Sequence, residues 1–363
     1  MGIAWSDYRL YTLRYIVYLL LGISVIFVFS TWVTTIERYK YIFAIIKNVV
    51  FIEFVVSILE ILRIFRWPNS PYSQYAPLFR RGAKDFSMYA DDVILRIMSS
   101  PTGFTGNPND LAIFVVMVLP FCLFSRKFYV PIFGAILSLI IIISASSRGV
   151  FIAFTIGMTV YFCMKYKKLF LIIATVILFL ITGLTYPILD ILKKSENAKI
   201  SEITSSFGVL ATYLTGKSTQ GNSISIRQQL IGNGLIELKI SKGLGVGGGA
   251  SIAIQQVKYG LGVTSMHNFW VEILVEGGII GFLLFLAWYL SLMYKLLTIS
   301  KKTKNDFIKY ISSSLFLSMT FFSVGCISAS SVIYNLTMWL MFGMAISIIY
   351  INKNILDCKR KLL

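Results

Sequence analysis

Residues 265–285 read SMHNFWVEILVEGGIIGFLLF and contain His267, the one histidine among the 363 residues of the chain. His267 and Asn268 precede a mostly apolar run that reaches about residue 292, which is long enough to cross the roughly 30 Å hydrocarbon core of a bilayer. This predicts a membrane-spanning helix over 267–292 with the histidine at its start. Backbone N–H groups at a helix start favour anions such as a pyrophosphate and disfavour a charged imidazole. His267 is therefore either a proton acceptor or an interfacial cap.

The composition of the whole chain indicates a membrane protein. Hydrophobic residues make up 56% of the chain and the mean hydropathy is +0.76, which excludes a soluble domain. We expect an all-α, polytopic integral membrane protein, with residues 1–363 as a single membrane domain. The predicted spans number about nine and cover residues 14–33, 41–62, 111–124, 129–145, 149–164, 169–189, 267–292, 309–327 and 332–351.

Two longer polar loops interrupt these spans, at 66–110 and 190–266, and the second is expected to contain short helices, including an amphipathic one at 223–240. If both loops lie outside the cell membrane, the cytoplasmic segments hold sixteen Lys or Arg against three Asp or Glu, as the positive-inside rule requires. The amino terminus is then outside, together with Arg9 and Arg14. Either these two arginines break the rule, or an initial span is missing and the count is ten.

The net charge of +18 does not indicate nucleic-acid binding, because the basic residues lie in short loops between apolar segments. Three of the four cysteines (Cys122, Cys163 and Cys326) lie in or beside predicted spans, and Cys358 lies in the tail. This pattern supports neither a disulfide framework nor a cysteine metal site, and a single histidine argues against zinc. We therefore expect no metal and no cofactor.

Other polar residues converge on the outer side with His267. Arg148 lies in the tight turn SASSRG between two spans, where its guanidinium suits phosphate oxygens but could equally snorkel to the interface. Arg227 lies in the amphipathic stretch, whose alternative role is an interfacial helix that buries its apolar side chains. Asn107 and Asn109 belong to the turn GNPND, which is typical of a helix cap.

Four glutamates fall inside predicted spans. Glu53 and Glu60 share one helix face, and we expect a buried ion pair with a neighbouring helix. Glu272 and Glu276 lie one turn apart, and Glu276 precedes Gly277 and two further glycines that permit close helix packing. We expect structural pairing for both, although a carboxylate there could also orient an arginine or the histidine. The segment KGLGVGGGAS at 242–251 lacks the P-loop pattern and is interpreted as a flexible loop beside the outer face.

Four segments together resemble the O-antigen ligase and O-antigen or capsule polymerase superfamily of bacterial membrane glycosyltransferases. They are HNFWVEILVEGGIIGFLLF from His267, ASSRGVFIAF around Arg148, RIMSSPTGFTGNPNDLA from Arg96, and SIRQQLIGNGLIELKISKGLGVGGG around Arg227. Their order along the chain is similar to that of the family.

The resemblance implies transfer of a glycan from undecaprenyl pyrophosphate to an acceptor hydroxyl, with inversion and without a metal, on the outer face of the bacterial cytoplasmic membrane. By the same resemblance, His267 would be the base, and Arg148 and Arg227 would hold the pyrophosphate. The expected substrate-binding residues are Arg96, Asn107, Asn109, Asn268 and Glu276. Expected partners are the lipid-linked donor, the glycan acceptor, membrane lipid and, as further proteins, a chain-length regulator and a flippase.

A polymerase of lipid-linked repeat units is the leading hypothesis, and a ligase that moves the finished glycan to another acceptor is the nearest alternative. A transporter or flippase of lipid-linked sugars is the hypothesis from another class. Transporters are expected to place polar groups at the bilayer midplane, often on broken helices related by an internal repeat. No repeat is evident here, so the transporter ranks second and a scaffold protein third.

Overall fold

The computed structural model describes residues 6–79, 98–166, 223–262, 265–327 and 332–361, and within these ranges all regular structure is helical. The helices are α1 (Arg9–Trp32), α2 (Ile36–Ile61), α3 (Pro108–Leu123), α4 (Tyr129–Ser144), α5 (Arg148–Tyr166), α6 (Ser223–Ile240), α7 (Ala250–Ala253), α8 (Phe269–Lys302), α9 (Asp306–Gly325) and α10 (Leu336–Lys361). A π-helical turn, Ile254–Lys258, continues α7. Single 3-10 turns lie at Ala76–Phe79, Gly103–Thr105 and Val332–Tyr334.

Among the described residues, 6 helices are long and apolar enough to cross a membrane, namely α1, α2, α5, α8, α9 and α10. The apolar helices α3 and α4 are shorter, at 16 residues each. Eight of the predicted spans thus have a matching helix, while the span predicted at 169–189 lies outside the described residues. The prediction of a polytopic helical membrane protein is confirmed.

Helix α9 lies at the centre of the bundle, where it packs against α3, α5, α8 and α10. Small serines let it approach α3 closely, and their hydroxyls use the α3 backbone as acceptor. Ser318 Oγ donates to the Met117 carbonyl at 2.6 Å and Ser314 Oγ to that of Pro120 at 3.3 Å. The face of α9 that carries these serines has no charged residue.

Helices α1 and α10 pack side by side at the edge of the bundle. Gly22 faces the Trp339 indole so closely that a Cβ at position 22 would overlap the ring. At the other end of this contact, the Tyr39 hydroxyl of α2 donates to the Met344 carbonyl at 3.3 Å. These contacts join the first two helices to the last one.

The helices run alternately in opposite directions, so the bundle has two distinct ends. The "histidine end" contains the starts of α1, α3, α5, α8 and α10, and the "Asp306 end" contains the start of α9 and the end of α8. Arg126, in the turn between α3 and α4, pairs with Asp306 at 2.6 Å between two exposed side chains. Helices α8 and α10 extend about ten residues past their predicted ends at 292 and 351, because polar and basic residues continue the helices beyond the apolar runs.

Candidate functional site

The starts of α3, α5 and α8 meet at the histidine end, around the last turn of α9. A Cβ at Gly325 of α9 would lie 3.6 Å from both Ala153 of α5 and Ile113 of α3, which are ordinary contact distances. Phe269, the first residue of α8, donates its N–H to the Cys326 carbonyl at 3.1 Å. Three helix N-termini, each with partial positive charge, therefore surround one helix end.

His267 directly precedes the cap of α8 and has a left-handed backbone with φ of 48°. The cap is Asn268, whose side-chain oxygen accepts from Val271 N at 3.3 Å, so the helix begins two residues after its predicted start at His267, and of the two alternatives for His267 the structure gives the helix cap to Asn268. The reason is chemical, since the short amide oxygen of Asn reaches the free N–H groups better than an imidazole does. His267 is half-buried, and its N–H donates to Ser265 Oγ at 3.4 Å.

The start of α8 is fixed to α9 by a second contact. The Trp270 indole N–H donates to the Ser323 carbonyl at 2.9 Å, and its ring stacks edge-on against Tyr289, whose hydroxyl donates to Met319 O at 2.6 Å. Buried aromatic rings with satisfied polar atoms are rigid anchors. The backbone that carries His267 is thus held against the central helix of the bundle.

Helix α8 is broken at Gly278, which has φ of 73° and ψ of 177°. The break frees backbone groups inside the membrane, where each needs a partner. A turn over residues 243–249, which we call the glycine turn, provides them. Val246 N donates to Val275 O at 2.9 Å, Gly247 N to Glu276 O at 3.1 Å, and Ile279 N donates back to Gly243 O at 3.0 Å.

The glycines at this contact are required by space. A Cβ at Gly245 would lie 2.5 Å from Gly278 N and 2.6 Å from Glu276 O, so the two backbones touch directly. The interpretation of 242–251 as a flexible loop is therefore wrong for this segment. It is a packed turn that completes the hydrogen bonding of a broken membrane helix.

Glu276 is buried beside the glycine turn and accepts from Ser251 Oγ at 2.5 Å. Glu272, one turn earlier, is also buried. Tyr15 of α1 contacts the same region, since a Cβ at Gly248 would lie 2.5 Å from its ring. Glu276 thus ties α7, through Ser251, to the first half of α8, which agrees with the expected structural pairing of this glutamate.

Arg227 lies in the first half of α6, whose bounds match the predicted 223–240, and it is half-buried with interaction partners. Helix α6 packs against α8 and against the residue before His267. At Gly234 a Cβ would lie 2.5 Å from Met266 Cε and 3.1 Å from Val275 Cγ2. The arginine-bearing helix and the histidine-bearing segment are therefore in direct contact.

A buried amide pair strengthens this contact. The Gln255 amide N–H donates to Leu230 O of α6 at 2.9 Å, and its oxygen accepts from Asn233 at 2.9 Å. Gln255 is 1% exposed, and its Nε2 lies 3.7 Å from the sulfur of Met266. The sequence analysis did not identify Gln255, and no pattern in the sequence distinguishes it from neighbouring Gln256.

The buried face of α6 differs from the expected apolar one. Leu230 is buried, but Leu235 is 45% exposed, whereas Glu237 is buried. Glu237 accepts from Lys258 Nζ and from the Tyr259 hydroxyl, both at 2.7 Å, and these hydrogen bonds raise the pKa of Lys258 and of Tyr259. Lys258, at the end of the π-helical turn, and Tyr259, just after it, therefore provide the partners that the buried Glu237 of α6 needs.

Asn107 caps α3, as predicted, with its side-chain oxygen accepting from Asn109 N at 2.9 Å. The turn before it is held by the two glutamates of α2. Glu60 accepts from Thr102 N at 2.6 Å and Gly103 N at 2.8 Å, and Glu53 accepts from Phe104 N at 3.0 Å. The expected ion pair with a neighbouring helix is wrong. Their partners are backbone amides, with Arg66, just after α2, at 3.7 Å from Glu60.

For two further predicted site residues the structure gives less. Arg148 is the first residue of α5, at the histidine end, and only its backbone position is described. Arg96 lies outside the described residues. Within the described ranges, no group of three or more His, Cys, Asp or Glu could hold a metal ion.

Residues 133–286, which run from α4 into α8, match the family model described as O-Antigen ligase. No curated protein matches the chain. The matched segment includes Arg148, Arg227 and His267. Residues 133–286 are therefore similar to the O-antigen ligase family, and this similarity supports the resemblance to the O-antigen ligase and polymerase superfamily.

Proposed function

We propose that the protein is a polymerase that joins undecaprenyl-pyrophosphate-linked oligosaccharide repeat units into a surface polysaccharide, such as a capsule, a teichuronic-type polymer or an O-antigen. The observation that carries the proposal is the O-antigen ligase match over residues 133–286. The family implies a ligase or polymerase activity on a lipid-linked glycan and an acceptor. The choice of polymerase over ligase is tested below.

In the proposed reaction, the oxygen of an acceptor hydroxyl attacks the anomeric carbon of the lipid-linked glycan. The bond from that carbon to the pyrophosphate oxygen breaks, and the lipid pyrophosphate leaves with the bonding electrons. His267 accepts the hydroxyl proton and so acts as the general base. A single displacement inverts the anomeric configuration.

Arg148 and Arg227 would bind the pyrophosphate and stabilise the charge that it gains on leaving. The support is their placement, with Arg148 at the start of α5 and Arg227 on the helix that packs against Met266. Helix N-termini add partial positive charge beside these arginines.

The remaining proposed substrate contacts are Arg96, Asn107, Asn109 and Asn268. The two caps, Asn107 and Asn268, already use their side-chain oxygens, so they would contact substrate through their amide N–H groups. Glu276 is bonded to Ser251 beside the glycine turn, which favours a role in holding that turn over direct contact with the glycan.

The histidine end would face the outside of the cytoplasmic membrane. The support is the concentration of Lys and Arg in the turns of the Asp306 end, which the positive-inside rule assigns to the cytoplasm. A flippase would then deliver the lipid-linked units to this face, and a chain-length regulator would act with the polymerase.

The test uses purified protein in detergent with lipid-pyrophosphate-linked repeat units from the host, without nucleotide sugar or added metal. We expect a ladder of polymers from the wild type and a loss of rate on the order of 10²-fold or more for His267→Ala. Arg148→Ala should also abolish the ladder. Arg126→Ala removes an arginine at the Asp306 end and should leave the ladder unchanged.

Each variant is checked for an unchanged elution volume and unfolding temperature. Transfer of the glycan to a different acceptor, without a ladder, would establish the ligase instead. Movement of a labelled lipid-linked sugar across a liposome membrane without any transfer would replace the enzyme by the transporter. Full activity of folded His267→Ala would remove the histidine from the mechanism.

A further inference from the structure

A cavity of about 360 Å³ lies between α8 and α10 at the Asp306 end, on the opposite side of the membrane from the proposed site. Lys295 and Thr298 of α8 face Asn352 and Lys353 of α10 across it. The cavity belongs to no part of the proposed reaction, because it lies at the end of the bundle remote from His267, Arg148 and Arg227.

The two lysines lie at the same end of the bundle. Lys295 is the first basic residue of α8, Lys353 is the first charged residue of α10, and both line the cavity. Because a long apolar stretch of each helix precedes its lysine, we expect both ammonium groups at the layer of lipid headgroups.

The charge of the cavity favours an anion. Lys295 and Lys353 are exposed, and the ion pairs of the described chain include neither of them. Asp357 is the single acidic residue in the lining, so two positive charges face one negative charge. The Asn352 amide adds an uncharged donor, whereas the Thr298 hydroxyl already donates to Tyr294 O at 2.8 Å.

Apolar residues complete the lining of the cavity. Ile349 lies one turn before Lys353, on its membrane side, whereas Leu356 follows Lys353 and is 50% exposed. Tyr294 is also exposed, and tyrosine is common at membrane interfaces. Snorkelling alone accounts for lysines at helix ends. It does not account for two lysines from different helices that line one cavity together with an apolar residue on the membrane side.

We propose that this cavity binds an anionic phospholipid, with Lys295, Lys353 and Asn352 holding the phosphate and with Ile349, on the membrane side of the lysines, contacting an acyl chain. Basic pockets between helices at the headgroup level bind lipid phosphates in this way. The lipid would then fix α8 to α10 at the end remote from His267. This inference does not depend on the proposed polymerase activity.

The test is native mass spectrometry of the purified protein in a mild detergent, titrated with phosphatidylglycerol or phosphatidylcholine. We expect the wild type to retain phosphatidylglycerol preferentially. Lys295→Gln combined with Lys353→Gln should weaken that binding about 10- to 30-fold, since each basic residue near the surface contributes roughly one tenfold step or less.

Two further variants test whether lipid binding depends on the cavity itself or only on the total positive charge of the protein. Lys301→Gln combined with Lys302→Gln removes the same charge from the last turn of α8 outside the cavity, and should keep the binding. Leu356→Trp keeps the charge and fills the cavity, and should weaken the binding even if the lysine variant were unstable. Equal losses for both lysine pairs, equal retention of phosphatidylcholine, or full displacement by inorganic phosphate would each overturn the proposal.

Discussion

Replacing Gly278 by alanine tests the interpretation that the glycine turn completes a broken helix. The backbone at Gly278, with φ of 73° and ψ of 177°, is in a region that non-glycine residues enter at a cost of about 1–3 kcal/mol. A Cβ there would lie 2.6 Å from the Gly243 carbonyl oxygen and closer still to that of Leu244. Both obstacles are backbone atoms, so the turn must move.

Movement of the turn puts its three hydrogen bonds to α8 at risk, each contributing about 1 kcal/mol. We therefore expect Gly278→Ala to destabilise the protein by about 3–6 kcal/mol. With an unfolding entropy of about 2.1 cal/mol/K per residue, each kcal/mol lowers the unfolding temperature of a 363-residue chain by about 1.3 °C, so we expect a fall of about 4–8 °C.

The adjacent residue provides a matched control, because a Cβ at Gly277 would meet nothing within 4 Å. Gly277→Ala should change stability by no more than about 1 kcal/mol. Unfolding is followed by tryptophan fluorescence in one detergent, together with hydrogen exchange of residues 243–249. If Gly278→Ala melts with Gly277→Ala and the turn stays protected, the reasoning is refuted.

Two further predictions concern packing. Gln255→Leu removes the buried partner of the Asn233 amide and of the Leu230 carbonyl, which should destabilise the protein by about 1–3 kcal/mol and increase hydrogen exchange at residues 265–268. The control is Gln256→Leu, at an exposed neighbour, which should change neither the stability nor the exchange. Gly22→Ala should lower the unfolding temperature, because the new methyl group overlaps the Trp339 ring at an overpacking cost of about 1–3 kcal/mol. Adding Trp339→Leu to this variant should recover part of the lost stability. If the losses of the two single variants simply add in the double variant, the contact is contradicted.

The sequence predicts those features that depend on local patterns. Helix α6 was predicted at 223–240 and has these bounds, because its end is set locally. Gly243 has a left-handed φ of 81° and donates its N–H to Leu238 O at 2.9 Å, which is a common helix stop. The capping role of Asn107 and the membrane-spanning character of the long apolar runs were predictable for the same reason.

Features that depend on distant partners were not predictable in this way. Gly277 and Gly278 have almost the same local surroundings, and only contact with residues 243–245 determines which of them breaks the helix. Glu60 likewise binds amides that lie 42 and 43 residues further along the chain. An ionisable residue in a span signals that it needs a partner, but the signal does not identify that partner.

The candidate site likewise combines features that local patterns predict with features that depend on distant partners. The sequence identified the residues by type and placed them near helix starts, while the contacts that bring α6 to the segment before His267 come from Gly234 and Gln255. Neither residue is chemically distinctive in the sequence. The positions of the side chains of Arg148 and Arg96 relative to His267 stay predictions.

The hydrogen bonds between the glycine turn and the first half of α8 have a practical consequence for exchanging segments between relatives. Residues 243–249 and 275–279 share one set of backbone bonds, so neither segment has a complete structure without the other. A chimera that takes only the glycine turn from a relative and keeps α8 of this protein would combine two segments whose backbone contacts do not come from the same protein. Productive junctions should fall before residue 241 and after residue 281, which transfers the turn, His267 and the break in the helix as one piece.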